Sequence, residues 1–303
     1  MGADNIRVIC GPTAAGKSEI AQGLALEYGA TIISADSRQI YRGFDIGTAK
    51  PSPLDRRSVW HESVDIADPT ERYSAALWSA GAMRWITEAR ARGSVPLVVG
   101  GTGFYISALF HPLFEAPSLE PVARSRLEAF LAGMPTVELR RWCTRLDPAK
   151  SQLGRVQLAR AVETALLSGQ RLSQLQSGQA RIGLFTPHYL IVDPGVSLSS
   201  RIETRVDLMI EAGWLSEVKA LAATVDSGAP AWKASGYSTM RRVATGEVDL
   251  SIARERIIIE TRQFAKRQRT WLRHQLGAAH ITIVNPDDSD RTATIERWWK
   301  ESA

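Results

Sequence analysis

Eight residues near the start of the chain carry its clearest chemistry. Gly11-Pro12-Thr13-Ala14-Ala15-Gly16-Lys17-Ser18 fits the pattern G-x-x-x-x-G-K-[ST] in full. The glycines permit a tight turn that aims backbone N–H groups at phosphate oxygens. The lysine adds a point charge, and the serine hydroxyl suits Mg²⁺. The run follows an apolar stretch, residues 6–10, that reads as a buried strand, and it opens a helical pattern over residues 17–28. A phosphate held there would also meet the positive end of a helix. A chance glycine-rich turn would lack these flanks.

A phosphate cradle does not name a reaction. Nucleotide hydrolases usually add a metal-binding acid at the end of a neighbouring strand. The third strand, 95–99, runs into Val98-Val99-Gly100-Gly101 with no acid. Asp36 is the one acid at the end of an early strand, after Thr31-Ile32-Ile33-Ser34-Ala35. The carboxyl ends of parallel strands face the ligand crevice. Asp36 could accept a proton there or simply cap a helix, and the pattern alone leaves both open.

These residues need a scaffold, and the periodicity outlines one. Strands are expected at 6–10, 31–34 and 95–99, with helices over 17–28 and about 74–92 between them. Ser74 suits the N-cap of the second helix and Gly93 its stop. Strand–helix alternation implies a parallel sheet. From about 116 to 185 the pattern is amphipathic helix with no clear strand. Strand character returns at 188–193, two long helices follow over 198–224 and 250–274, and a short strand lies at 281–284. The expected fold is α/β, a P-loop NTPase-like parallel sheet core (1–115 and 186–303) with an inserted helical domain at 116–185.

Composition fits a globular chain that can bury its own core: 303 residues, 44% apolar and 23% charged. Two cysteines, Cys10 and Cys143, make no disulfide framework, and no apolar run reaches the ~20 residues of a membrane helix. No basic stretch leading into an apolar one opens the chain, so a cytosolic protein without a membrane partner is expected. The net charge of +5 is unevenly spread. Residues 120–160 carry net +4 and residues 254–273 net +5, leaving the rest at −4. Two basic segments on a mildly acidic body suggest a polyanion surface, although solvated helix faces would look the same. Arg262, Lys266, Arg269 and Arg273 share one face of the second segment, opposite Ile258, Ala265 and Leu272.

Five blocks then resemble one family. They are Gly11 to Ser18; Asp36-Ser37-Arg38-Gln39-Ile40-Tyr41 running on to Asp45-Ile46-Gly47-Thr48-Ala49-Lys50-Pro51; and Val99-Gly100-Gly101-Thr102-Gly103-Phe104-Tyr105. Further along come Arg201-Ile202-Glu203-Thr204-Arg205, and Thr261-Arg262-Gln263-Phe264-Ala265-Lys266-Arg267-Gln268 with Trp271-Leu272. In this order they are similar to tRNA dimethylallyltransferases, the tRNA isopentenyltransferase family, over most of the chain. The resemblance implies transfer of a dimethylallyl group from dimethylallyl diphosphate to the exocyclic amine of the adenosine 3′ to the anticodon in tRNA.

By the same resemblance Asp36 is the general base, and the loop Gly11–Ser18 with Lys17 and Arg205 binds the diphosphate. Ser18 holds Mg²⁺, and Thr102 sits near the reacting centre. Asp36, Ser37, Arg38, Gln39 and Thr102 line the flipped adenosine of the anticodon stem-loop. Arg124, Arg160, Arg262, Lys266 and Arg269 contact the rest of the tRNA. A helical Arg205 could instead pair with Glu203 or Glu211. Where relatives carry Asn-Asp and then an Arg, this chain has Leu153-Gly154 and Gln157. Some relatives carry a C-terminal zinc finger, which two separated cysteines do not support. A monomer is expected. Three rivals remain: a small kinase using Asp36 on a hydroxyl, an enzyme that prenylates free adenine nucleotides, and a non-catalytic RNA-binding protein.

Overall fold

The computed structural model describes residues 4–111, 117, 119–178, 183–276 and 280–302. Six parallel strands form one sheet in the order β3-β2-β4-β1-β5-β6. They are β1 Asp4–Cys10, β2 Ala30–Ser34, β3 His61–Glu62, β4 Val95–Gly100, β5 Phe185–Val192 and β6 His280–Val284. The middle strands are apolar and β-branched because helices cover both faces, as all-parallel sheets require. With a phosphate loop joining β1 to α1 (Lys17–Tyr28), this is a P-loop NTPase-like α/β core. The two-residue β3 is too short to leave a periodic signal, so sequence missed it.

The chain divides into two compact units, Met1–Phe110 with Gly183–Ala303, and His111–Ile182. The larger unit also holds α2 (Pro53–Ser58), α3 (Ala75–Ala91) and α4 (Gly103–Phe110). Ser74 caps α3, its side chain accepting from Leu77 N–H at 3.2 Å. The second unit holds α5 (Pro121–Gly133), α6 (Thr136–Leu146), α7 (Arg155–Ser168) and α8 (Leu172–Gly178) around Leu131, Leu139, Cys143, Leu158 and Leu172. Asp147 is fully buried there and satisfied by Ser173, which donates to it through N–H (2.9 Å) and Oγ (2.6 Å). Residues 183–185 belong with the sheet unit, because Phe185 already pairs with Asp4.

One expected helix is two. Residues 198–224 split into α9 (Leu198–Glu211) and α10 (Trp214–Thr224). The break is at Gly213, whose left-handed backbone starts α10 and lets Trp214 bury its ring. After α11 (Tyr237–Ala244), the expected 250–274 helix is α12 (Leu250–Gln275). The last helix, α13 (Arg291–Glu301), was not expected. Its anchor is aromatic: Trp298 and Trp299 are buried, and Trp299 stacks on Tyr28 at 4.7 Å.

Candidate active site

The site is built at the carboxyl ends of β1, β2 and β4, where their loops meet α9 and α12. The phosphate loop leaves β1 and enters α1 through Gly16, which sits in the left-handed region (φ 94°) as the helix N-cap. A side chain resists that conformation, so glycine suits the position. Lys17 Nζ donates to Pro12 O at 2.7 Å, folding the lysine back along the loop. Burial pushes its ammonium down to about 8, and the neighbouring Arg205 guanidinium pushes the same way, while Asp36 and Cys10 oppose. Burial also lowers Arg205, with Asp36 opposing. Two cations and one carboxylate thus face one another in a poorly solvated cleft, a setting in which an added anion gains strongly.

Arg205 makes no ion pair among the described residues. Glu203, one of the two acids within its reach on sequence, pairs with Arg262 instead. Asp36 is not a helix cap. It follows β2 into a turn, where Oδ1 accepts the Arg38 N–H at 2.8 Å. Thr102 stands after β4, and its Oγ1 accepts the Ser37 N–H at 3.1 Å, tying this turn to the neighbouring strand end. Gln39 is spent within the protein. Its Oε1 accepts from Ser34 Oγ (2.9 Å), and its Nε2 donates to the carbonyls of Thr48 (3.2 Å) and Ala49 (2.9 Å). Ser18 is exposed, and its hydroxyl makes no hydrogen bond among the described residues.

Two cavities meet here. The first, about 390 Å³, is lined by Lys17, Ser18 and Gln268 among others. The second, about 580 Å³, is lined by Arg38, Trp214, Trp232, Gln263 and Arg267 among others. Thr13, Asp36, Arg205 and Phe264 line both. The junction therefore presents a carboxylate, a guanidinium and an aromatic ring to anything that spans the two spaces.

The block Asp45 to Pro51 has a scaffolding part. Glu217 on α10 accepts from the N–H groups of Asp45 (3.0 Å) and Ile46 (2.7 Å), and from the Tyr237 hydroxyl (2.6 Å). That hydroxyl in turn accepts from Gly47 N–H at 3.1 Å. A Cβ on Gly47 would lie 2.2 Å from Trp214 Nε1, so only glycine fits against that ring. Lys50 buries its ammonium between Asp45 (2.6 Å) and Asp65 (2.5 Å).

The expected tRNA-contacting residues fall into two groups. In the helical unit Arg124 and Arg160 both hold Glu163, at 2.5 and 2.8 Å. On α12, Arg262 pairs with Glu203, and Arg269 with Asp193 and, at 2.7 Å, the Gly195 carbonyl. Lys266 and Arg273 are exposed and make no ion pair among the described residues. Sequence reasoning gave no role to Gln268, although a polar residue on the buried face of α12 was the signal that could have found it.

Comparison with known proteins adds the family. The family model described as IPP transferase matches residues 39–275, and that described as isopentenyl transferase matches residues 4–61. The tRNA dimethylallyltransferase of Bordetella petrii is 43% identical over 88% of this chain and 90% of its own. That of Deinococcus radiodurans is 37% identical over 96% and 95%. The solved full-length tRNA isopentenylpyrophosphate transferase of Bacillus halodurans is 30% identical, with a TM-score of 0.67 over 98% of this chain and 99% of that one. A eukaryotic dimethylallyltransferase acting on tRNA reaches a TM-score of 0.80 at 25% identity, over 97% of this chain and 77% of that one. On the matched family model and this extent of identity, the chain belongs to the IPP transferase family.

Proposed function

We propose that this chain moves the dimethylallyl group of dimethylallyl diphosphate onto the exocyclic amine of the adenosine 3′ to the anticodon in tRNA, releasing diphosphate. The observation that carries the reading is the junction: Asp36 and Arg205 line both cavities, whereas Lys17 lines only the first. The first cavity, with Lys17, Arg205 and the Ser18 hydroxyl in its lining, suits the diphosphate. The second, with Arg38, Gln263 and the half-buried Phe264 in its lining, suits a base swung out of its stack. The relatives named as tRNA dimethylallyltransferases support tRNA as the acceptor and dimethylallyl as the group transferred.

The amine is a poor nucleophile because its lone pair is delocalised into the ring. As it attacks the allylic carbon, the carbon–oxygen bond to diphosphate breaks and a new carbon–nitrogen bond forms. The amine proton passes to the Asp36 carboxylate, which the Arg38 N–H and the Thr102–Ser37 tether hold in place. Lys17 and Arg205 take up charge that develops on the leaving diphosphate. Among the described residues no three metal-binding side chains cluster. Ser18 alone suits an ion held mostly by phosphate oxygens and water, as Mg²⁺ usually is. Such an ion would supply further neutralisation of the leaving group. Phosphates of the tRNA would meet the exposed Lys266, and Arg124 and Arg160 with Glu163 orienting them. All these groups lie on one chain, so a monomer suffices.

The test offers radiolabelled dimethylallyl diphosphate and Mg²⁺ with unmodified tRNA, with AMP, or with neither, and a parallel reaction with ATP. Label should enter tRNA alone. Label in AMP, or phosphate transferred from ATP, would replace this reading by one of its rivals.

A further inference from the structure

The buried face of α12 is formed by Ala253, Ile257, Ile258, Ala265, Gln268 and Leu272. Gln268 is the only polar residue of that set, 8% exposed, and both ends of its amide are used. Oε1 accepts the Thr13 N–H at 2.8 Å, and Nε2 donates to the Gly101 carbonyl at 2.9 Å. Thr13 belongs to the phosphate loop that follows β1, and Gly101 follows β4. The two strands are neighbours, with Cys10 opposite Gly100. One amide therefore joins the phosphate loop, the adjoining strand end and α12. A primary amide offers an acceptor and a donor from one rigid, uncharged group, which this position demands.

A second observation lies one residue along. Ala14 has φ 62°, a left-handed conformation that a residue with a Cβ resists. Such a conformation persists only where the surroundings over-determine it. The hydrogen bond at Thr13 is the fixed point next to it. We propose that Gln268 is a positioning residue for the phosphate loop: it locks Thr13, keeps Ala14 in its left-handed conformation, and so holds the loop in the shape that receives diphosphate. The inference rests on the reading of the first cavity as a diphosphate site. Gln268 acts through Thr13 and need not touch the diphosphate.

The test uses the full chain, inorganic diphosphate with Mg²⁺, and calorimetry. Gln268→Met keeps the bulk and removes both hydrogen bonds. Gln268→Asn keeps the amide but is too short to span Thr13 and Gly101, and it serves if the first variant does not fold. Thermal melts establish folding, and tRNA binding is measured alongside. Diphosphate Kd should rise about tenfold, equivalent to about 1.4 kcal/mol, with tRNA affinity unchanged. Adding Ala14→Gly to either variant should recover part of the loss, because glycine takes the left-handed conformation without help. A merely structural packing role for Gln268 predicts no such rescue, so an absent rescue overturns the proposal. Wild-type diphosphate affinity in a folded Gln268 variant overturns it as well. A wild-type protein that binds no diphosphate would instead sink the reading of the cavity itself, and the two failures are distinguishable in one experiment.

Discussion

Asp36 does two jobs that a substitution can separate. Its Oδ1 holds the turn through the Arg38 N–H, while proton acceptance needs a carboxylate. Asp36→Asn keeps the turn acceptor and removes the base. The chemical rate should fall roughly 10²–10⁴-fold with donor affinity unchanged. Single-turnover kinetics on tRNA decide this, and a near wild-type rate would remove Asp36 from the mechanism. Lys17 carries a pH signature. Its ammonium is pushed below its usual range to about 8, so raising the pH through that value discharges it in the free protein. Diphosphate would then bind only by recharging it, and affinity should fall above about pH 8, by at most about tenfold per pH unit. Below that pH the charge is present and the effect vanishes. The readout is diphosphate affinity across pH for wild type relative to Lys17→Met, in the same buffers. A constant ratio across pH 7–10 would mean that Lys17 keeps its charge throughout.

At the scale of the element, α12 serves two surfaces. One face enters the core through Ala265, Gln268 and Leu272, and the other carries the basic residues. Those residues are not equivalent. Arg262 and Arg269 are tied to acids on other segments, so their loss should cost stability by only ~0–1 kcal/mol each, as partly exposed ion pairs do. Lys266 and Arg273 are exposed and make no ion pair among the described residues. If α12 meets tRNA phosphates, neutralising Lys266 and Arg273 together should flatten the dependence of log K on log salt by about one to two units, at ~0.7 to 0.9 per contact. All tRNAs should weaken alike, because phosphate contacts carry little sequence information. An unchanged slope in a folded double variant would make this face a solvated one.

At the scale of the molecule, the residues proposed for donor binding and chemistry all lie in the sheet unit, while the helical unit has its own core. The two can therefore be damaged separately. Leu158 is fully buried in the helical unit. Leu158→Ala should destabilise that unit by ~2–5 kcal/mol, the range for emptying a buried leucine site. Diphosphate binding should survive, and tRNA modification should fall through tRNA affinity. Equal loss of diphosphate and tRNA binding would show that the units do not fold independently. A thermal melt beside the two binding measurements makes the distinction.

What the sequence determined by itself is what contiguous residues can specify. The phosphate loop is eight consecutive residues, and its flanks have the periods of a strand and a helix. Asp36 lies at a strand end whatever the strand order, and alternating strand and helix imply a parallel sheet. Five of the six strands and the presence of a helical insertion were legible for that reason. Tertiary structure decided every pairing between distant segments. Gln268 reaches Thr13 across 255 positions of sequence. Glu203 takes Arg262 and leaves Arg205 to the cavity, a choice set by how α9 and α12 are rotated against each other. Gln39 turns its amide to Thr48 and Ala49, and Arg269 finds Asp193 at the end of β5. Each basic or amide side chain had several chemically equivalent partners on paper. Chain order ranks none of them, because hydrogen bonds and ion pairs depend on distance and direction in three dimensions.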